Sequence, residues 1–174
     1  MITSLTSESI QDIQADAIVV GLSGNALTGF AAELNEATSG GLQSLLDAGQ
    51  AKSKVGATTS WLQPTGIQAP VIVTVGLGDT PNAGDCFKAA GAAAKMLADQ
   101  QRSSVAFYFP ELDSALLESA VAGSVVGSQG QDLHKKTKSL YPPEQILWAS
   151  TNADAVTAGE NIATGVNLTR TLVN

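Results

Sequence analysis

The stretch Val71-Ile72-Val73-Thr74-Val75-Gly76-Leu77-Gly78 decides the fold of this chain. Its first five residues have high strand propensity and no charge, a pattern typical of a buried strand. Ala17-Ile18-Val19-Val20, followed by Gly21, is a second apolar run of the same kind. Two such runs predict a sheet that is covered by helices.

Strand and helix patterns alternate along the rest of the chain. The further strand candidates are Ile2 to Leu5, Thr58 to Leu62 as a weaker edge strand, Val105 to Phe109 before Pro110, and Ile146 to Trp148. Helical patterns separate the later strands, so we expect an α/β fold of three layers, α/β/α, with a mixed sheet.

Apolar residues at helical spacing, each group preceded by a capping residue, predict three helices in the second half of the chain. The three groups are Phe87, Ala90, Ala94 and Leu97 after Asp85; Leu117, Val121 and Val125 after Asp113 or Ser114; and Ile162, Val166, Thr169 and Val173 after Thr151 or Asn152. Between Leu27 and Leu46 we expect two short helices, because the paired glycines of Ser39-Gly40-Gly41 disfavour a continuous one.

Length and charge restrict the classes of protein. The 174 residues suit one domain, and 44% hydrophobic against 14% charged residues disfavours disorder. Sixteen acidic and nine basic residues give a net charge of −7, which disfavours nucleic acid and anionic membranes as partners, although a local basic patch stays possible. A single cysteine, Cys86, suits a reducing compartment, so we expect a cytoplasmic protein.

Neither a signal peptide nor a membrane span is predicted. The N-terminus lacks a basic start and an apolar stretch of sufficient length, so we expect the mature chain to begin at Met1. Val55 to Gly78 carries no charge, but Pro64 and Pro70 interrupt it well short of about 20 apolar residues. We therefore expect a soluble protein.

Gly76-Leu77-Gly78 follows a strand and precedes a helix, where a glycine turn could present amides to a phosphate. The dinucleotide fingerprint needs a third glycine at the place of Pro81. A tight strand-to-helix turn is therefore the favoured interpretation.

The nucleophile and histidine candidates lack the partners that catalysis needs. His134 is the sole histidine, with only Asp132 near it, which favours a solvated loop residue. Cys86 needs a base to become a thiolate, so burial at a helix start is favoured. Ser23 in Gly21-Leu22-Ser23-Gly24 does not match the nucleophile elbow of serine hydrolases, and we interpret it as part of a loop.

Charged and aromatic side chains form no recognisable catalytic or metal site. Four acids form the pairs Glu33 with Glu36 and Glu111 with Asp113, and both pairs suit solvated faces and helix starts. The favoured interpretation of the lysine cluster, Lys135, Lys136 and Lys138, is an exposed loop, and a phosphate or nucleic-acid contact is the alternative. The two tryptophans, Trp61 and Trp148, are expected to be core or interface anchors. We predict no catalytic, cofactor-binding or metal-binding residue in this chain.

Six stretches, spread over nearly the whole chain, carry a resemblance to a known family: Ala15 to Gly21, Gly41 to Gly56, Ala69 to Gly78, Lys88 to Lys95, Asp132 to Lys138, and Gly159-Glu160 with Gly165 to Asn174. Together they resemble the N-terminal domain of the leucyl aminopeptidase (cytosol aminopeptidase) family. The last stretch, Gly165-Val166-Asn167-Leu168-Thr169-Arg170-Thr171-Leu172-Val173-Asn174, is similar to the helix that leads to the family's catalytic domain, so we expect a truncated chain.

The resemblance implies a macro-domain-like fold over residues 1–150 and a connecting helix over 151–174. It implies a parent enzyme that removes N-terminal amino acids from peptides with two divalent metal ions, zinc or manganese, bound outside this chain. It also implies assembly into a homohexamer and, in some members, DNA binding. His134 and an extra lysine depart from the family's loop pattern, so no role is carried over to that loop.

We therefore predict a non-catalytic domain for assembly and access control, whose last helix has an apolar stripe that the missing half covers. The alternative is a stand-alone module that binds a nucleotide such as ADP-ribose through the turns after the strands at 17–20 and 71–75. An independent enzyme that uses Cys86 or Ser23 is a third and less favoured hypothesis.

Overall fold

The computed structural model describes residues 1–24, 26–130 and 137–173, which build one six-stranded sheet between two layers of helices. The strands are β1 (Ile2–Thr6), β2 (Ala17–Ser23), β3 (Thr58–Leu62), β4 (Val71–Gly78), β5 (Ser104–Tyr108) and β6 (Gln145–Ala149). Their order is β1-β6-β5-β2-β4-β3; all neighbours are parallel except β3, which pairs antiparallel with β4 at one edge. The mixed sheet and the edge position of β3 are confirmed.

Within these described ranges, five helices cover the sheet: α1 (Phe30–Ala37), α2 (Gly41–Asp47), α3 (Ala83–Leu97), α4 (Ser114–Ser128) and α5 (Ala153–Val173). The central strands contribute alternate side chains to two separate core clusters. Val19 and Phe107 join the cluster with α3, α4 and α5, whereas Ile18 and Val20 join the cluster with α1 and α2. The predicted three-layer architecture is therefore confirmed.

The predicted turn at Gly76-Leu77-Gly78 is wrong, because these residues belong to β4. Glycine is required at position 76 because the chain around Ser53 passes directly over it, and a Cβ there would lie 2.6 Å from the Ser53 carbonyl oxygen. Gly76 exchanges hydrogen bonds with this neighbouring segment: its N–H donates to Ala57 O at 3.0 Å, and its carbonyl accepts from Gly56 N at 2.9 Å. Only Gly78, at φ 86°, has the left-handed backbone of a turn.

Capping side chains begin the last three helices, but one cap differs from the prediction. The N-cap of α3 is Asn82, and Asp85 is its reciprocal partner in a capping box: Asp85 N donates to Asn82 Oδ1 at 3.0 Å and Asn82 N donates to Asp85 Oδ2 at 3.3 Å. Asp113 caps α4 by accepting from Leu116 N at 2.9 Å. At the start of α5, Asn152 Oδ1 accepts from Ala155 N at 3.0 Å.

Close packing of α3 on α4 depends on small residues. Gly123 of α4 lies against the backbone of α3 at Phe87, and Gly127 lies against the backbone at Gly91. The helical spacing of Phe87 and Ala90 correctly predicts α3, but Phe87 is 37% exposed whereas Ala90 is fully buried. Backbone contact at these two points leaves no room for a Cβ at Gly123 or Gly127.

The interruption between α1 and α2 falls where the glycines predict it. α1 ends at Ala37, Ser39 and Gly40 have positive φ, and α2 begins at Gly41. The ring of Trp61 packs over Gly41, which makes Trp61 a partly buried anchor between β3 and α2.

Candidate functional site

The C-terminal helix α5 is the principal candidate surface, because its two halves differ in burial. The first half packs against α4, and its buried residues are Ala155, Val156, Gly159 and Ala163. Gly159 makes this contact close, since a Cβ there would lie 2.7 Å from Val121 Cβ. Beyond Ala163 no described residue of α5 is buried.

Large apolar side chains on α5 point to solvent. Five of its side chains are exposed to at least a third of their area: Ile162, Val166, Leu168, Leu172 and Val173. Leu172 and Val173 are the most exposed, at 78% and 80%. Large exposed apolar side chains grouped on one helix are typical of an interaction surface in soluble proteins.

Arg170 holds the second half of α5 against the end of α4. Its Nη1 donates to the carbonyl oxygen of Val126 at 3.1 Å and to Asn167 Oδ1 at 3.2 Å. A guanidinium at the C-terminus of α4 also interacts favourably with the helix dipole. The exposed apolar face is thus presented on a positioned helix. This role of Arg170 could not be predicted from the sequence, since its contact with Val126 joins residues 44 positions apart.

Cys86 is buried in the core at the start of α3, as predicted. Burial, followed by the charges of Asp85 and Asp113, raises the pKa of the thiol from 9.0 to about 11. A thiol with this pKa is protonated at neutral pH and is a poor nucleophile. His134, the base that a cysteine mechanism would need, lies outside the described residues.

Ser23 lies at the end of β2, not in a loop, and its hydroxyl donates to the carbonyl oxygen of Gly78 at 3.0 Å. This bond ties the ends of β2 and β4 together. A cavity at the end of β2, lined mainly by residues 21–24 and 26–28, has a volume of only about 20 Å³. Small-molecule sites usually measure about 300–1,000 Å³, so this cavity is too small for a nucleotide at the first of the two predicted turns. The second predicted turn is absent, because Gly76 to Gly78 belong to β4.

The predicted acidic pairs are exposed, and the structure brings members of both pairs together. Glu33 of α1 and Glu111 with Asp113, before α4, line one cleft, whereas Glu36 does not. No three histidine, cysteine, aspartate or glutamate side chains of the described ranges are close enough to hold a metal ion. The part of this chain that the structure describes therefore does not fit a divalent metal.

The remaining candidates have separate places in the fold. Trp148 is a core residue as predicted, 1% exposed and stacked on Phe107 with ring centroids 4.7 Å apart. Asp132 to Lys136, including the first two lysines of the predicted basic loop, lie outside the described residues, and Lys138 is exposed. Within the described ranges, none of the helices has the length and apolarity to span a bilayer.

Comparison with known proteins identifies relatives of one kind. Residues 18–138 match the N-terminal domain of the cytosol aminopeptidase family. Probable cytosol aminopeptidases are similar over most of the chain. That of Rhodopirellula baltica is 28% identical, and the match covers 98% of this chain and 37% of the relative. That of Stenotrophomonas maltophilia is 32% identical, and the match covers 91% of this chain and 35% of the relative. The chain thus spans about a third of the length of these curated relatives.

Solved structures share the fold. A mutant of tomato leucine aminopeptidase superposes with a TM-score of 0.74 at 19% identity, over 99% of this chain and 38% of its own. The bottromycin maturation enzyme BotP in complex with Mn superposes with a TM-score of 0.64 at 19% identity, over 92% of this chain and 32% of the enzyme's chain. The family match covers well over half of the chain, and the fold agrees with it: this chain belongs to the cytosol aminopeptidase family and corresponds to its N-terminal domain.

Proposed function

We propose that this chain is the non-catalytic N-terminal assembly and regulatory domain of a metal-dependent leucyl aminopeptidase that removes N-terminal amino acids from peptides. Residues 1–150 form the macro-like domain, and residues 151–174 form the connecting segment, with helix α5 (Ala153–Val173), that leads to a catalytic domain. The observation that carries the proposal is the exposed apolar face of α5, on a chain that matches about a third of its relatives' length.

The chemistry of the described residues supports a non-catalytic role. The thiol of Cys86 is buried and protonated, and the hydroxyl of Ser23 donates to a backbone carbonyl. A pair of divalent ions, zinc or manganese, would be held by the catalytic domain and would activate water for peptide hydrolysis there. No step of that reaction is assigned to residues of this chain.

The physical role of α5 follows from its exposed side chains. Covering Leu168, Leu172 and Val173 with protein removes apolar area from water, which stabilises the contact at about 25 cal/mol per Å². The surfaces that would cover this face are the enzyme's own catalytic domain and neighbouring subunits of a homo-oligomer, a hexamer by family resemblance. The family name and the reduced cysteine support a cytoplasmic location.

Hydrolysis of a leucine chromogenic amide tests the function. The present chain is compared with a chain extended through the downstream reading frame, each with added manganese or zinc. We expect turnover in the extended chain only, and its loss when a chelator removes the metal. Turnover by residues 1–174 alone would overturn the proposal, since it would require a catalytic site inside this domain.

A further inference from the structure

The free edge of β3 is a second surface that nothing covers in the described parts of the chain. β3 is the last strand of the sheet, and among the described residues it pairs with β4 alone. Its sequence, Thr58-Thr59-Ser60-Trp61-Leu62, contains no charged residue and no proline, and its register with β4 has no bulge. Edge strands usually carry one of these features, because an unprotected edge is a template for another strand. The β3 edge is therefore open to strand addition.

The backbone groups that face this edge belong to Thr58, Ser60 and Leu62. Gln63 N donates to Pro70 O at 2.8 Å, so the residues of β3 with odd numbers turn their backbone groups towards β4. In an antiparallel pair the alternate residues turn theirs away from the partner strand. No described residue forms a hydrogen bond with the outward N–H and carbonyl groups of these three residues. The edge thus offers three donors and three acceptors in a straight row.

Side chains on one face of β3 are accessible as well. Ser60 and Leu62 lie opposite Val73 and Val71 of β4, on the face of the sheet that α3 covers further in. α3 contacts β4, but the face of β3 beside it is open: Ser60 is exposed, and Leu62 is exposed to 69%. Cross-strand neighbours on one face of a sheet pack against each other. An added strand would therefore cover Leu62 with one of its own side chains.

Lysines lie near the end of the edge where β3 begins. The Lys88 side chain, from α3, crosses Gly56, and its Cε lies 3.6 Å from the place of a Cβ at that glycine. Lys52 and Lys54 lie in the segment just before Gly56, and all three lysines are exposed. None of these three, which we call the lysine group, forms an ion pair with a described residue. On a chain with a net charge of −7, they form a local site for negative charge.

Charge decides between the partners that this edge would accept. In a two-fold antiparallel pair with a second copy, the lysine group would meet the Leu62 end of the other β3, and residues 55–78 carry no acid to pair with it. Nucleic acid has no strand edge for the outward backbone groups, and the net charge of −7 repels it. An extended peptide with acidic residues at one end matches both the backbone groups and the lysine group.

We propose that the β3 edge binds an extended, acidic segment of another protein by strand addition. The segment runs antiparallel to β3, exchanges backbone hydrogen bonds with Thr58, Ser60 and Leu62, and places its acidic C-terminal end beside the lysine group. Its own N-terminus takes no part, so the partner is not bound as a substrate. The proposal goes beyond the proposed function and does not rest on it, since neither α5 nor a catalytic domain contributes to this edge.

Amide hydrogen exchange followed by NMR tests the pairing residue by residue. The probe is the peptide acetyl-Val-Thr-Val-Thr-Val-Glu-Glu-amide, which has no free N-terminus. We expect saturable binding with a dissociation constant of about 0.1–1 mM. At about ten times that concentration the peptide should slow exchange of the Thr58, Ser60 and Leu62 amides about tenfold, because fewer than about one chain in ten then has an open edge. The amides of Thr59 and Trp61, which face β4, should change least.

Three matched probes separate the backbone from the charge. The same peptide with its β3-facing amides N-methylated cannot donate to the edge and should give no protection. A peptide that ends in Lys-Lys instead of Glu-Glu should bind about threefold to tenfold more weakly. A ten-nucleotide oligothymidylate has negative charge but no strand edge and should leave the three amides unprotected. Protection by the oligothymidylate equal to that by the acidic peptide would assign the surface to nucleic acid and overturn the proposal.

Variants of the edge complete the test. Ser60→Pro removes an outward N–H without removing a bond to β4 and should abolish binding, whereas Ser60→Ala keeps the N–H and should bind normally. Lys52→Glu combined with Lys54→Glu should reverse the preference, so that the Lys-Lys peptide binds more tightly than the Glu-Glu peptide. Unshifted amide signals of the central strands show that each variant is folded.

Four results would overturn the proposal. They are no protection at about 5 mM peptide, equal protection of the amides that face the edge and those that face β4, equal binding by Ser60→Pro and Ser60→Ala, and protection that rises with the concentration of the chain alone. The last result would show that a second copy of this chain occupies the edge. None of the four bears on turnover by the extended chain, so the proposed function is tested separately.

Discussion

Replacing Gly123 by alanine tests the close packing of α3 on α4. A Cβ at this position would lie 2.8 Å from both C and Cα of Phe87, which are backbone atoms of α3 and cannot rotate away. The Phe87 carbonyl oxygen would lie closer still, so restoring even an ordinary carbon–carbon separation of about 3.5 Å moves the helices apart by at least about 0.7 Å. That movement loosens the contacts of the buried alanines Ala89, Ala90 and Ala93.

The expected cost combines two opposing effects. Overpacking lowers the free energy of unfolding by about 1–3 kcal/mol. The upper end applies here because the added Cβ would meet backbone atoms of Phe87, and no change of rotamer relieves that contact. Alanine's better helix propensity offsets about 1 kcal/mol of this. The net loss in the free energy of unfolding is about 2 kcal/mol, which lowers Tm by about 4–8 °C in a domain of this size.

Urea unfolding followed by circular dichroism measures this difference, with Gly165→Ala as the control. Gly165 lies in α5 with no atom within 4 Å of an added Cβ, so alanine there should stabilise the chain by about 0.5–1 kcal/mol. The reasoning is refuted if Gly123→Ala is as stable as the unmodified chain, because the two helices could not then approach as closely as described.

Three further predictions concern the core and the caps. The buried Cys86 thiol, with its pKa raised to about 11, should react with a disulfide reagent at pH 8 only as fast as the chain unfolds, and reaction at the rate of a free thiol would contradict its burial. Burial also raises the pKa of Tyr108, whose hydroxyl donates to Glu8 O. Because the Cys86 thiol and the Tyr108 hydroxyl are both held neutral in the folded state, the free energy of unfolding should be highest below about pH 9 and fall as pH rises toward 11. Urea unfolding across this pH range should show a less steep fall for Cys86→Ala. Asn82→Ala removes the N-cap of α3 and should cost about 1 kcal/mol in urea unfolding, and an unchanged midpoint would argue against the capping box.

The strands and helices could be predicted because local patterns determine them. The uncharged run Val71 to Val75 can be buried on both faces only as an inner strand, and the glycines after Ser39 break a helix wherever they occur. The error over Asp85 has a local cause as well. In a capping box both Asn82 and Asp85 bond to backbone N–H groups, so the acid three residues into the helix resembles the cap itself.

The other errors arise from contacts between distant segments. Gly76 resembles a turn glycine in the sequence, but its requirement comes from the chain at Ser53, which passes over β4. Phe87 follows the helical spacing of the buried residues, yet Gly123 draws the α3 backbone so close that the ring has no place in the interface. Neither contact can be predicted from the local sequence of a single helix or strand.

The candidate surfaces could be predicted only in part for the same reason. The apolar positions of α5, among them Ile162, Val166 and Val173, follow from helical spacing, and the structure places them at the surface. The cleft with Glu33, Glu111 and Trp148 depends on the order of the strands, which brings α1 near the ends of β5 and β6. Sequence spacing contains no information on that order.

Amide hydrogen exchange along α5 tests the central claim most directly. The measurement compares the present chain with the chain extended through the downstream reading frame, with Ala155 to Ala163 as the internal reference that α4 already protects. We predict that amides after Val166 exchange rapidly in the present chain and become strongly protected in the extended one, because the proposed catalytic domain would cover the apolar face. Equal exchange of these amides in both chains would contradict the account.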